Sequence, residues 1–336
     1  MAAVCLVLAV LPELCAQAPL SAAAPTTFHV ASDFVLVDAL ALNKRTGAPI
    51  GALSAQDFQI SEDGVPQAIA YFSRDQLPLS VVFLFDLTDS VRAALKPLAA
   101  SAREVLAHLK PQDEIAVMTF SSHIDLLQRF TTDHALAAAA IEKASAMKTA
   151  EATFIFEDVW EAAEEAEKAT IPGSRRVLAF FTDGTANQET PLVRRLYGKQ
   201  APTHLHTKDE ATERLLRSGA VVAALIERTP LTDVLVSQDV NPFAWALGSG
   251  TRVGDVRRYA DQTGGPFLNT KKTEAADRLA MLLDELRDRY TLGYKPSAAH
   301  PAGTFCRIRL TLTREARLRL PPGTQPVIRV RTGYYR

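Results

Sequence analysis

The residues best suited to chemistry are oxygen donors at the ends of two apolar runs. Val81-Val82-Phe83-Leu84-Phe85 stops at Asp86, and the segment Asp86-Leu87-Thr88-Asp89-Ser90 follows. Alternation along an extended loop sets Asp86, Thr88 and Ser90 on one side. One carboxylate and two hydroxyls are hard oxygen ligands, the kind that a small cation such as Mg²⁺ prefers while keeping several waters. A second carboxylate, Asp183, closes the run Phe180-Phe181-Thr182-Asp183, and Gly184 after it lets the chain turn sharply beside the site.

Positioning these groups requires buried strands and covering helices. The runs ending at Asp86 and Asp183 suit strands buried on both faces, as in a parallel sheet. Between and after them the pattern predicts helices over 95–109, 133–147, 154–169, 211–217, 253–262 and 273–290, with strands over 115–120, 124–130, 220–226 and 267–268. Asp133 is a good N-cap, and Pro97 shifts the start of the first helix. Alternating strands and helices predict an α/β, doubly wound, mostly parallel sheet, whose ligands bind beyond the carboxyl ends of the strands. The flanks read differently. Residues 34–37, 58–60 and 68–72 are strand-like, with a hairpin turn at Glu62-Asp63-Gly64, and 306–313 and 327–331 alternate again. The simplest arrangement is one small β-sandwich from the N- and C-terminal segments, with the α/β block inserted. The expected division is a leader at 1–18, sandwich segments at 28–75 and 292–336, and the α/β domain at 78–291.

The order of these motifs resembles a known family. Asp-x-Thr-x-Ser after one apolar strand and Thr-Asp-Gly after a later one resemble the metal-ion-dependent adhesion site of von Willebrand factor type A (VWFA) domains. Thr153, in Glu151-Ala152-Thr153-Phe154, matches the family's loop threonine ahead of a helix. The flanking Ser54-Ala55-Gln56-Asp57-Phe58, Glu62-Asp63-Gly64, Tyr290-Thr291-Leu292-Gly293-Tyr294 and Val330-Arg331-Thr332-Gly333-Tyr334 resemble secreted bacterial VWFA-related proteins first grouped in acidobacteria. The resemblance implies a type A, Rossmann-like fold and a metal set of Asp86, Thr88, Ser90, Thr153 and Asp183. It implies Mg²⁺, or Mn²⁺ or Ca²⁺, as the cation, and a protein or cell-envelope partner whose carboxylate completes the coordination shell. The expected role is metal-dependent binding or adhesion, with no catalytic residues. Two alternatives stand beside it: a hydrolase in which the metal activates water with Asp89 as base, and a structural envelope protein with a vestigial site. Thr88 stands where the family more often has serine, Asp89 at a position often small, and Glu151-Ala152 where glycine is usual.

Other motifs are weaker. Gly248-Ser249-Gly250-Thr251-Arg252-Val253-Gly254 approaches a dinucleotide fingerprint, but its last glycine is one place too far, so a flexible start to a helix is expected. His204-Leu205-His206 with Asp209 offers zinc ligands in a polar stretch, 187–209, that reads as a surface loop, and solvated histidines are the expectation. The acidic run 157–168 reads as a solvated helix face. Arg307, Arg309, Arg317, Arg319, Arg329 and Arg331 read as the outer face of a sheet.

Composition bounds the rest. The 336 residues are 47% hydrophobic and 22% charged, with a formal net charge of -1. That is an ordinary folded composition, without the basic balance that nucleic acid or an anionic membrane favours. Met1–Leu11 is apolar but too short to span a bilayer, and Ala16-Gln17-Ala18 offers a cleavage point, so the start reads as a secretory signal peptide. The expected location is secreted, periplasmic or in the cell envelope, with no transmembrane segment in the mature protein. Of the cysteines Cys5, Cys15 and Cys306, only the last would survive cleavage, leaving no disulfide.

Overall fold

The structure is a computed structural model, and it describes residues 34–148, 153–184, 206–227 and 254–336. The leader at 1–18, most of the loop at 187–209 and most of the glycine-rich segment at 248–254 lie outside the described residues. No helix among the described residues is long and apolar enough to cross a membrane.

A six-stranded sheet forms the centre, in the order β10 (Phe267–Thr270), β9 (Val221–Glu227), β8 (Arg175–Thr182), β5 (Leu79–Asp86), β6 (Glu114–Phe120) and β7 (Ile124–Thr131). All neighbours run parallel except β6 and β7, which pair antiparallel at the edge. All eight residues of β5 are buried. Val81, Phe83 and Phe85 pack against α1 (Asp89–Ala100), α2 (Ala102–Leu106), α3 (His134–Ala146) and α7 (Ala275–Arg287) on one face. Val82 and Leu84 pack against α4 (Ile155–Glu167), α5 (Lys208–Ser218) and α6 (Gly254–Thr263) on the other. Helices on both faces of a parallel sheet are the expected doubly wound arrangement.

Two four-stranded antiparallel sheets flank this block. One is ordered β13 (Pro326–Val330), β1 (Val35–Asn43), β11 (Tyr290–Tyr294), β4 (Ile69–Ser73); the other is β14 (Gly333–Tyr335), β12 (Phe305–Leu312), β2 (Phe58–Glu62), β3 (Val65–Gln67). Inward residues of both, including Val37, Leu292, Ile60 and Leu310, share one core. The small sandwich is thus built from strands before β5 and after α7, and the α/β block is inserted, as expected. Asp63 and Gly64 both take positive φ and close the two-residue turn between β2 and β3.

Several expectations need correction. The helix expected over 95–109 starts at Asp89 and breaks at Ser101 into α1 and α2. Pro97 lies inside α1 near its end, not at its start; its missing N–H removes the ladder bond to the carbonyl one turn earlier. The helix expected to reach Tyr290 stops at Arg287, and Tyr290 begins β11. Arg317 and Arg319 lie on a short helix, α8 (Arg314–Arg319), rather than on a sheet face, while Arg307 and Arg309 do face outward from β12.

An ionic seam ties the sandwich to the base of the central sheet. Arg175, at the start of β8, is fully buried and grips Asp38 of β1 through Nε at 2.9 Å and Nη2 at 3.2 Å. Its Nη1 donates to the Leu286 carbonyl, and Thr291 adds a hydroxyl to Asp38. Burial by itself raises the Asp38 carboxyl, but Arg175, Arg289 and Thr291 together hold it below the ordinary carboxylate range. A carboxyl lowered on folding contributes stability above its unfolded pKa and loses that contribution as pH falls through its folded value. Asp38→Ala is therefore expected to cost about 3 kcal/mol at neutral pH, because it strands a buried guanidinium. The gap between wild type and variant should close in strong acid. Urea unfolding across a pH series checks this, and a gap that stays constant in acid would count against it.

Candidate metal centre

The chain leaves β5 for β6 on one side and later returns to β8 on the other, so the strand order reverses between β5 and β8. Such switch points open a crevice at the carboxyl ends of the strands. Asp86 ends β5, and Asp183 follows β8 directly.

Asp86 is completely buried. Its Oδ1 accepts the Thr88 amide at 2.9 Å and the Thr88 hydroxyl at 2.7 Å, and its Oδ2 accepts the Thr182 hydroxyl at 2.6 Å. Thr88 is the N-cap of α1, yet its side chain makes no capping bond and turns to the carboxylate instead. Thr182 is held in turn by the Gly184 amide, which donates to its Oγ1 at 3.0 Å. Gly184 has φ of 75°, a conformation that side-chain-bearing residues rarely adopt.

Negative charge accumulates here. Burial first, and then the charge of Asp183, push the Asp86 carboxyl up to about 7, against the opposing hydrogen bonds of Thr182 and Thr88. Asp183 is itself buried. Asp158, in the first turn of α4, is buried as well, and its Oδ2 accepts no hydrogen bond. Burial, followed by the charges of Asp86, Glu161 and Glu157, pushes Asp158 well above the ordinary carboxylate range.

The structure thus brings Asp86, Thr88 and Asp183 to one end of the sheet. Thr153 is buried just ahead of α4. Ser90 lies in the first turn of α1, and its side chain is outside the described residues. Asp89 is exposed. Two groups escaped the sequence reading. Thr182 was hidden as the last residue of an apolar strand, where a hydroxyl at a fully buried position is itself a signal. Asp158 was hidden in the acidic run read as a solvated helix face, but Asp158 and Glu165 of that run are buried. His206, expected to be solvated, instead stacks on Trp160 at 3.8 Å and pairs through Nδ1 with Glu157 Oε2 at 2.9 Å. His204 is outside the described residues.

Residues 81–185, which hold the whole of this arrangement, match the von Willebrand factor type A domain family. The chain carries a type A domain. Solved structures similar to it include the conserved hypothetical protein BatB of Bacteroides thetaiotaomicron, at 14% identity over 62% of this chain and 98% of that one, with a TM-score of 0.40. The vWF domain of the type V pili tip protein Mfa5 of Porphyromonas gingivalis is 13% identical over 62% and 95%, with a TM-score of 0.40. A von Willebrand factor type A protein of Catenulispora acidiphila is 11% identical over 89% and 73%, with a TM-score of 0.43. No curated protein sequence matches the chain.

The donors of the type A domain fit a hard divalent cation. Octahedral Mg²⁺ with ligands at about 2.0–2.1 Å places neighbouring ligand atoms roughly 2.9 Å apart, and Asp86 Oδ1 and Thr88 Oγ1 are 2.7 Å apart. Without a cation, burial and the charge of Asp86 disfavour the ionised form of Asp158, and raising that carboxyl on folding costs stability at neutral pH. Asp158→Asn is therefore expected to stabilise the protein in chelator by about 1 kcal/mol, a rise of about 2 °C in thermal midpoint. Thermal unfolding in chelator measures it; a lowered midpoint would show that Asp158 stabilises the fold as a charged group.

Proposed function

We propose that the type A domain binds a divalent cation at the ends of β5 and β8 and through it captures a carboxylate on a partner. The cation is Mg²⁺, or Mn²⁺ or Ca²⁺, held by Asp86, Thr88, Ser90, Thr153 and Asp183. One observation carries the reading: a fully buried aspartate, Asp86, lies within the field of a second buried carboxylate, and among the described residues the groups that shift it most include no cationic side chain. A buried charge of this kind is costly unless it is paired or coordinates a metal. When bound, the cation supplies an electrophilic position that a partner's carboxylate can fill. The chain's own part is to fix the donors: Thr182 holds Asp86 in place, and the first turn of α1 presents Thr88 beside it.

The reading is one of binding, with a protein or cell-envelope ligand as partner. A secreted, periplasmic or envelope location belongs to the same proposal. In the same reading, the α/β block from β5 to α7 forms the type A domain, and the strands before and after it form the sandwich that carries it.

Calorimetry with Mg²⁺ and Mn²⁺ tests the site. Wild type should bind either cation, and Asp86→Ala should bind neither. Equal binding by both proteins would overturn the proposal. A pull-down from envelope extract then tests the mechanism: partner capture should be lost in chelator and restored by added cation, and capture indifferent to chelator would exclude ligand bridging.

A further inference from the structure

A second group of potential ligands lies in the sandwich, apart from the type A site. Glu62 ends β2 and Cys306 lies near the start of β12, and both point into the core by the alternation of their strands. His300, in the connection between β11 and β12, closes over them. One ligand atom from each of Glu62, His300 and Cys306 lies within 4.8 Å of the others, and all three belong to the described residues. The His300 Nε2 is 3.5 Å from Glu62 Oε1 and 3.8 Å from Asp63 Oδ2.

The Glu62 carboxylate is divided between two tasks. Its Oε2 accepts the Tyr294 hydroxyl at 2.5 Å and the Tyr334 hydroxyl at 2.9 Å. Its Oε1 is buried and accepts no hydrogen bond. The two tyrosines come from different sheets, so they fix the carboxylate with its free oxygen toward His300 and Cys306. Cys306 is a free, fully buried thiol. Burial and the nearby charges of Glu62 and Asp63 push this thiol up, while the Tyr334 hydroxyl opposes them. A cation would reverse that balance, since a coordinated thiol is deprotonated.

We propose that Glu62 Oε1, His300 Nε2 and Cys306 Sγ form a binding site for a zinc-class divalent cation, with Asp63 as the neighbouring carboxylate. Tetrahedral Zn²⁺, with N and O ligands at about 2.0–2.2 Å, separates them by roughly 3.4 Å; the Glu62–His300 distance of 3.5 Å already matches, and Cys306 Sγ lies within 4.8 Å of both ligand atoms. Thiolate, imidazole and carboxylate together select Zn²⁺ over Mg²⁺, which favours oxygen ligands alone. Tyr294 and Tyr334 act as positioning residues by orienting the carboxylate.

Co²⁺ titration of the purified chain tests this, because cobalt bound to a thiolate gives a near-ultraviolet charge-transfer band that oxygen ligands do not. Wild type should show the band, and added Zn²⁺ should abolish it. Asp86→Ala should keep it, which separates this site from the one on the type A domain. His300→Ala and Cys306→Ser should lose it, and Tyr334→Phe should weaken Co²⁺ binding about 10- to 100-fold. His300 is in a surface connection, so its variant tests the site even where loss of Cys306 disturbs the core. The absence of a band in wild type would overturn the proposal. So would a band that persists in both variants, since it would then come from Cys5 or Cys15.

Discussion

A parallel sheet must be covered on both faces, and the arrangement around the type A site follows from that requirement. The covering helices come from the connections between strands, so the chain has to cross over one face for some connections and the other face for the rest. Where it changes sides, between β5 and β8, the connections part at the carboxyl ends of two neighbouring strands. The same double cover buries β5 through all eight residues. Its last residue is an aspartate. The geometry that gives the sheet its stability therefore also sets an ionisable group in a dry position, with a second carboxylate on the adjacent strand end.

The local structure around Asp86 answers that charge only in part. Three hydrogen bonds reach its two oxygens, from Thr88 and Thr182, and hydrogen bonds favour the charged form. They do not outweigh burial and Asp183, because the carboxyl remains raised to about 7. The contrast with Asp38 shows what full compensation looks like. Asp38 is also desolvated, yet two guanidinium contacts and a hydroxyl bring it below the ordinary range. The protein has the means to neutralise a buried carboxylate with arginine and does so at the seam to the sandwich. At the strand ends it supplies hydroxyls instead, which orient a carboxylate without cancelling its charge. That difference favours an exogenous cation at Asp86 over a merely structural role.

Much of this was readable in the sequence, for identifiable reasons. Asp86 and Asp183 stand out because each stops an apolar run, and the end of a buried strand is where a parallel sheet meets its ligand. Thr88 follows from its two-residue spacing along an extended segment. The sandwich was legible as two flanking β regions, and the Asp63-Gly64 turn from its residue types. What escaped depends on tertiary placement. Thr182 and Asp158 are polar residues in contexts of opposite character, one apolar and one acidic, and neither context reveals which side chain turns inward. Pro97 was misplaced because the first helix begins at Asp89, inside the very motif read as a loop. The Glu62, His300 and Cys306 group joins positions up to 244 apart in the chain, and no local pattern links a hairpin turn, a connection and an alternating strand.

The two proposed cation sites differ in donor chemistry and in place, and both differences bear on how they could act together. Oxygen donors alone at the strand ends suit a hard cation with exchangeable waters, whereas a buried thiolate with imidazole suits a tightly held zinc-class ion. The ionic seam to the sandwich grips β8 at Arg175, its first residue, while Thr182 at the other end of the same strand holds Asp86. The seven residue-to-residue steps of strand from one to the other span about 23 Å, more than twice the distance over which charge is screened at physiological salt, roughly 8 Å. Cation binding at Asp86 therefore reaches the seam only through the packing of β8, not through the field of the ion. All but one of the strand's residues are buried, and a close-packed interior is stiff and transmits strain. The sandwich is thus attached at the end of β8 opposite the proposed cation site.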